Sequence, residues 1–144
     1  MWLLIVAAIS AGLFAGAAIY INVVEHPARL SCGTDLAIRE FAPSYRRATV
    51  MQAPLAITGC ATGLSSAWAE SDAWLVLGAI LLGAVVPFTL IVILPTNHQL
   101  LDPTLDPRSH RATLLLNRWG RLHAARSILS AAAFVLFLIR LAQS

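Results

Sequence analysis

His26, His123, Glu25 and Arg126 are the side chains of this 144-residue chain best placed to do chemistry, because each is ionisable and each adjoins a long apolar run. Asn22 and His26 are four residues apart and share a helix face, with Glu25 beside them. Trp119, His123 and Arg126 follow one another at spacings of four and three, again one face. Tyr45 and Gln52 stand at the start of a second apolar run, and Asn97 at the end of a third. Either histidine could act as general base on a phenolic or benzylic proton. Arg126 could stabilise the oxyanion so formed, and Trp119 could stack on an aromatic ring. The candidate catalytic residues are therefore His26, His123 and Arg126. The candidate substrate-binding residues are Asn22, Tyr45, Gln52, Asn97 and Trp119.

The same residues admit a metal. His26 and His123 would supply nitrogen and Glu25 oxygen, a donor set suited to a mononuclear iron, copper or zinc ion. Haem, with the two histidines as axial ligands, is the weaker alternative. Each residue also has a structural reading. Glu25 could pair with Arg126 or Arg29, His26 could cap a helix end, and Trp119 could belong to an interfacial aromatic belt. Cys32 and Cys60 show no paired spacing and fall at different depths, which argues against a disulfide.

The elements that must position these groups are transmembrane. Hydrophobic residues make up 58% of the chain and charged residues 12%, about half the charge of a soluble domain. That composition excludes a soluble globular protein, a disordered chain and a nucleic-acid binder. About 20 apolar residues cross the hydrocarbon; uncharged runs predict three spans, about 2–24, 48–69 and 73–94, and a fourth, about 117–140, extends the 13-residue run between Arg126 and Arg140 back to near Asn117, with its arginines at the membrane surface. The first could pass for a signal peptide, but it lacks a basic leader and its apolar run is too long, so it reads as a retained helix. The expected fold is an all-α integral membrane four-helix bundle, one domain over residues 1–144. Gly12/Gly16 and Gly59/Gly63 form GxxxG pairs that suit close packing inside the bundle, with a homo-oligomer face as the alternative.

All ten basic residues are arginine. Arg29, Arg39, Arg46 and Arg47 follow the first span, and Arg108, Arg111, Arg118 and Arg121 precede the fourth; the short connection after the second span holds only Glu70 and Asp72. The positive-inside rule then puts two long loops in the cytoplasm and both termini outside, in a bacterial inner (cell) membrane. In the first of these loops, residues 35–41 could form a short surface helix that Pro43 ends. In the second, Asp102-Pro103 and Asp106-Pro107 predict turns, and residues 108–122 an amphipathic approach to the fourth span. The polar residues of all four spans gather at this cytoplasmic side.

Several motifs together resemble the anthrone oxygenase-like family of small four-helix membrane proteins. They are Asn22-Val-Val-Glu25-His26-Pro27, Phe41-Ala-Pro-Ser-Tyr45 with Arg47 and Gln52, Val86-Pro87-Phe88-Thr89 leading to Pro95-Thr96-Asn97, and Arg118-Trp119 with His123 and Arg126. The resemblance covers nearly the whole chain. It implies a membrane oxidoreductase that oxidises a lipophilic aromatic or quinol-like substrate with molecular oxygen, as in the conversion of anthrones to anthraquinones. It settles no cofactor. The competing reading is a non-enzymatic membrane subunit or binding module, with the arginine-rich loops on anionic lipid.

Overall fold

The computed structural model describes residues 1–143. Four helices run antiparallel: α1 (Trp2–Ser31), α2 (Thr34–Glu70), α3 (Ala73–Leu100) and α4 (His110–Gln143). Each packs on two neighbours, α1 and α3 both lying against α2 and α4. The all-α four-helix bundle expected from the sequence is present. By length and composition α1, α3 and α4 can cross a membrane. α2 falls short of that measure because Thr49, Gln52, Thr58, Thr62, Ser65 and Ser66 interrupt its apolar residues.

The connections are shorter than the sequence suggests. The first expected loop is helical almost throughout: α1 continues to Ser31, the chain turns at Cys32 and Gly33, and α2 begins at Thr34. Gly33 takes a φ of 93°, a conformation suited to glycine. Pro43 does not end a helix but lies inside α2. The second expected loop shrinks to residues 101–109, where the aspartates make the expected turns. Asp102 accepts from the Thr104 N–H at 2.8 Å, and Asp106 from the Arg108 N–H at 2.9 Å.

Two wide turns interrupt otherwise regular helices. Ile21–Glu25 in α1 and Thr89–Ile93 in α3 are π-helical. The His26 N–H reaches Ile21 O in the first and the Leu94 N–H reaches Thr89 O in the second. In both, the next residue is a proline, Pro27 or Pro95. Proline lacks an N–H and its ring crowds the carbonyl four residues back, and a π turn relieves this by adding one residue to the coil. The sequence shows the prolines but not the bulges, which re-aim the residues around them.

The core has two apolar parts. One, toward the end bearing the termini, includes Leu4, Phe14, Leu75, Leu82 and Phe137. The other, toward the opposite end, includes Ile21, Phe41, Ile93, Leu116 and Trp119. Glycines allow the close approaches of the first part. A Cβ on Gly59 would lie 2.4 Å from Leu82, and one on Gly63 2.7 Å from Phe137. The second GxxxG pair thus works inside the bundle. In the first, Gly12 does likewise against Phe134, while Gly16 faces open space.

Asp72 fastens the terminal end. It caps α3 by accepting from the Trp74 N–H at 2.8 Å and the Leu75 N–H at 3.4 Å, and it pairs with Arg140 of α4. Burial pushes its carboxyl pKa up, but these donors prevail and hold it below the usual carboxylate range. This support is complete above the unfolded aspartate pKa of about 3.9 and is lost as acidification passes the lower folded value. Asp72→Ala should lower the thermal midpoint in detergent, through loss of a cap contribution of about 1–2 kcal/mol. An unchanged midpoint would contradict this role.

Candidate functional site

Between the two apolar parts lies a layer of buried polar side chains. Gln52 is 2% exposed, Asn97 1% and His123 2%, with Ser127 and Ser130 buried beside them. The first π turn places Asn22 in this layer, where it fixes the protonation pattern of the site. Its Nδ2 donates to the Gly120 carbonyl at 3.0 Å. Its Oδ1 accepts from the Ser127 hydroxyl at 2.6 Å and lies 2.8 Å from His123 Nδ1. A carbonyl oxygen can only accept, so the proton on that last contact belongs to Nδ1. Neutral His123 therefore keeps its lone pair on Nε2.

Arg126, one turn further along α4, donates from Nη2 to Gln52 Oε1 at 2.8 Å, and its guanidinium lies 5.3 Å from the Phe14 ring centre. Among the described residues no carboxylate pairs with it. Since arginine has only donors, Gln52 must turn its oxygen toward Arg126, which leaves Gln52 Nε2 as a buried donor without a partner. Arg126 Nε, Asn97 Oδ1 and Thr96 Oγ1 are also buried and unpaired. Buried polar atoms are normally satisfied, so these open valences make this layer the candidate site.

Gln52 and Arg126 border two adjoining spaces, and Asn97 borders the first of them. A small chamber of about 30 Å³ is lined by Tyr45, Gln52, Asn97, Trp119, His123 and Arg126 among others, enough for one or two water-sized groups. A larger apolar cavity of about 120 Å³ lies between α2 and α3 and shares Tyr45, Thr49, Gln52 and Arg126 with it.

Trp119 forms the chamber's wall rather than an interfacial belt. Its ring lies 4.7 Å from that of His123, 5.1 Å from His26 and 5.4 Å, edge-on, from Phe41. His26 stands behind it, outside the chamber lining, and packs so tightly on α4 that a Cβ on Gly120 would fall 2.8 Å from its Nε2. Three other tryptophans, Trp2, Trp68 and Trp74, are exposed near the terminal end.

Of the residues expected from sequence, Tyr45, Gln52, Asn97, Trp119, His123 and Arg126 meet at the chamber. Asn22 is brought in as the partner of His123 rather than as a lining residue. The expected metal set of His26, Glu25 and His123 does not assemble. Glu25 pairs with Arg29 and accepts from the Ser44 hydroxyl at 2.7 Å. Among the described residues, no three His, Cys, Asp or Glu side chains gather as donors. The expected pairing of Glu25 with Arg29 is the one that forms.

Sequence reasoning missed Glu40, Ser44 and Ser127, and it foresaw Arg29 only as a partner of Glu25, not its place beneath Trp119. Arg29 read as a loop cation, yet it is 5% exposed, holds Glu40 at 2.9 Å and lies 5.8 Å from the Trp119 ring centre. Its spacing of three from His26, and that of Ser127 four from His123, were the available signals.

Fold and site together define a class: small helical bundles with an apolar exterior and a buried polar layer carrying an unpaired arginine. The chain belongs to the anthrone oxygenase family, whose model matches residues 41–136. A curated relative, anthrone oxygenase ptaC of Pestalotiopsis fici, is 31% identical over 121 residues, covering 71% of this chain and 84% of that protein. No solved structure matches the chain. The matched region contains the whole chamber lining from α2, α3 and α4, and stops short of Asn22 and His26 in α1.

Proposed function

We propose that the protein is a membrane-embedded oxygenase that oxidises a lipophilic aromatic substrate of the anthrone type, with His123 as general base and Arg126 as the cation facing the developing oxyanion. The observation that carries this reading is the juxtaposition of an imidazole whose free lone pair is fixed at Nε2 with a half-buried arginine whose buried Nε is unpaired and which meets no carboxylate among the described residues. An anthrone has a methylene flanked by two aromatic rings and conjugated to a ketone. Removing a methylene proton places negative charge on the ketone oxygen, and Arg126 stabilises it. The carbanion carbon then bonds to dioxygen, and His123 returns its proton to the distal oxygen. Loss of the second hydrogen with cleavage of the O–O bond gives the carbonyl and water. The sum is CH₂ plus O₂ to C=O plus H₂O, and it balances. No step is routed through a metal, because the expected donors do not come together.

The bilayer is the natural surrounding. Large apolar side chains such as Leu13, Ile57, Ile91 and Ile128 are exposed along the bundle. The hydroxyls that dilute α2 satisfy themselves in part on their own helix, as Thr62 does on Thr58 O at 2.7 Å and Ser65 on Ala61 O at 2.8 Å. α2 can therefore serve as a fourth span. Arg39, Arg46, Arg47, Arg108, Arg111, Arg118 and Arg121 are exposed at the end away from the termini, which supports a cytoplasmic position for that end in a bacterial cell membrane.

The test is oxygen uptake by purified protein in detergent with an anthrone as substrate. The expected result is one O₂ consumed per quinone formed, at a rate well above the substrate's spontaneous oxidation. A rate equal to the protein-free control would refute the proposal.

A further inference from the structure

On the outer surface, α1 and α2 leave a groove of about 500 Å³ toward the end away from the termini. Its inner half is apolar, with Ala17 and Ile21 of α1 and Met51 of α2. Its outer half is charged, with Glu25 of α1 and Glu40 and Arg47 of α2. From Glu40 to Gln52 it follows α2 for about 18 Å, at ~1.5 Å per residue. A charged end passing into an apolar end suits a lipid that crosses from the headgroup region into the hydrocarbon.

The charges are not paired off within the protein. Glu25 and Glu40 both pair with Arg29, which is buried, so two carboxylates share one cation. Arg29 meets Glu25 at Oε1, where the Ser44 hydroxyl also donates, and it meets Glu40 at Oε2. Glu25 Oε2 and Glu40 Oε1 take no hydrogen bond or ion pair from a described residue. Arg47 is exposed and pairs with no carboxylate among the described residues. At the inner end stands Gln52, a side chain 2% exposed whose Nε2 lacks a partner. Arg126 holds its Oε1 but does not line the groove.

We infer that this groove binds a phospholipid whose headgroup carries a primary ammonium. The ammonium lies between Glu25 and Glu40, the phosphate on Arg47, an ester carbonyl on Gln52 Nε2, and an acyl chain over Ala17, Ile21 and Met51. A primary ammonium brings N–H donors to the two open carboxylate oxygens, and a trimethylammonium group brings none. A headgroup that is only anionic repeats the charge of the carboxylates. The site depends on the bilayer placement of the bundle and not on the oxygenase reading.

The experiment is native mass spectrometry of detergent-purified protein titrated with phosphatidylethanolamine, phosphatidylcholine and phosphatidylglycerol of identical acyl chains. Wild-type protein should bind phosphatidylethanolamine at least about fivefold more tightly than either of the others. Glu40→Gln removes one negative charge while its amide oxygen can still accept from Arg29, and it should bring the ethanolamine and choline lipids within about twofold of each other. Arg47→Gln, at an exposed position, should weaken both at least about threefold and leave their ratio unchanged. Equal binding of the choline and ethanolamine lipids to wild-type protein, glycerol lipid binding as tightly as ethanolamine lipid, or either variant binding as wild type does would overturn the inference. Should Glu40→Gln fail to fold, the wild-type ranking and Arg47→Gln decide the matter. A protein that ranks the lipids as expected but consumes no oxygen keeps this site and loses only the oxygenase reading.

Discussion

Replacing His123 with alanine should lower kcat for anthrone oxidation by about 10²–10⁴-fold, the usual contribution of a positioned general base. The loss should fall on kcat more than on KM, because the imidazole acts on a proton and lines only the small chamber. The bundle should survive the change. Asn22 Oδ1 keeps the Ser127 hydroxyl at 2.6 Å and its Nδ2 keeps the Gly120 carbonyl, so no buried oxygen is stranded. His26→Ala serves as the comparison. That ring packs behind Trp119, outside the chamber, so its removal should act through packing, with a lowered thermal midpoint and a smaller effect on kcat. Steady-state kinetics with oxygen detection and thermal denaturation of both variants check this. Equal losses of kcat would argue that the two histidines act as a unit, against the assignment of His123 alone.

The second large effect belongs to Arg126. Arg126→Met keeps the aliphatic volume and removes the cation, and should lower kcat by about 10²–10³-fold, as loss of an oxyanion donor does. Its effect on stability should be small. A half-buried charge without a counter-ion is costly to hold, and losing that cost offsets the stranding of Gln52 Oε1, its buried acceptor. Higher or unchanged thermal stability together with lost turnover would identify a residue kept for chemistry. A variant both inactive and strongly destabilised would instead mark Arg126 as structural. Lysine at this position should restore only part of the rate, since an ammonium cannot serve Gln52 Oε1 and the substrate oxygen with the geometry of a guanidinium.

Much of this was legible in the sequence. Uncharged runs pointed to three helices and a short run extended past its arginines to a fourth, and spacings of three and four along α4 put Trp119, His123 and Arg126 on one inward face. Polar residues at the same depth in all four helices pointed to one site, and the motifs pointed to the family. What remained hidden depended on long-range geometry. The π turns arise from the conflict between a proline ring and the preceding coil, and no spacing rule announces how the coil resolves it. Arg29 looks like any loop arginine until the first loop turns out to be helix and folds it under Trp119. The metal set failed for a related reason: Glu25 is adjacent to His26 in sequence, but adjacent helical residues point in different directions, and Glu25 turns toward Arg29 and Ser44. The tautomer of His123 could be read only after Asn22 was placed against Gly120 and Ser127, about a hundred residues away in the chain.

The central claim is that the polar layer removes a proton from a bound aromatic substrate before oxygen reacts. The direct measurement is the absorbance spectrum of an anthrone bound to the protein without oxygen, at neutral pH. The account predicts that wild-type protein shows the visible band of the substrate's anion, that His123→Ala shows only neutral substrate, and that admitting oxygen to the wild-type complex replaces the anion band with that of the quinone. Bound but neutral substrate in wild-type protein that still forms quinone when oxygen is added would contradict it.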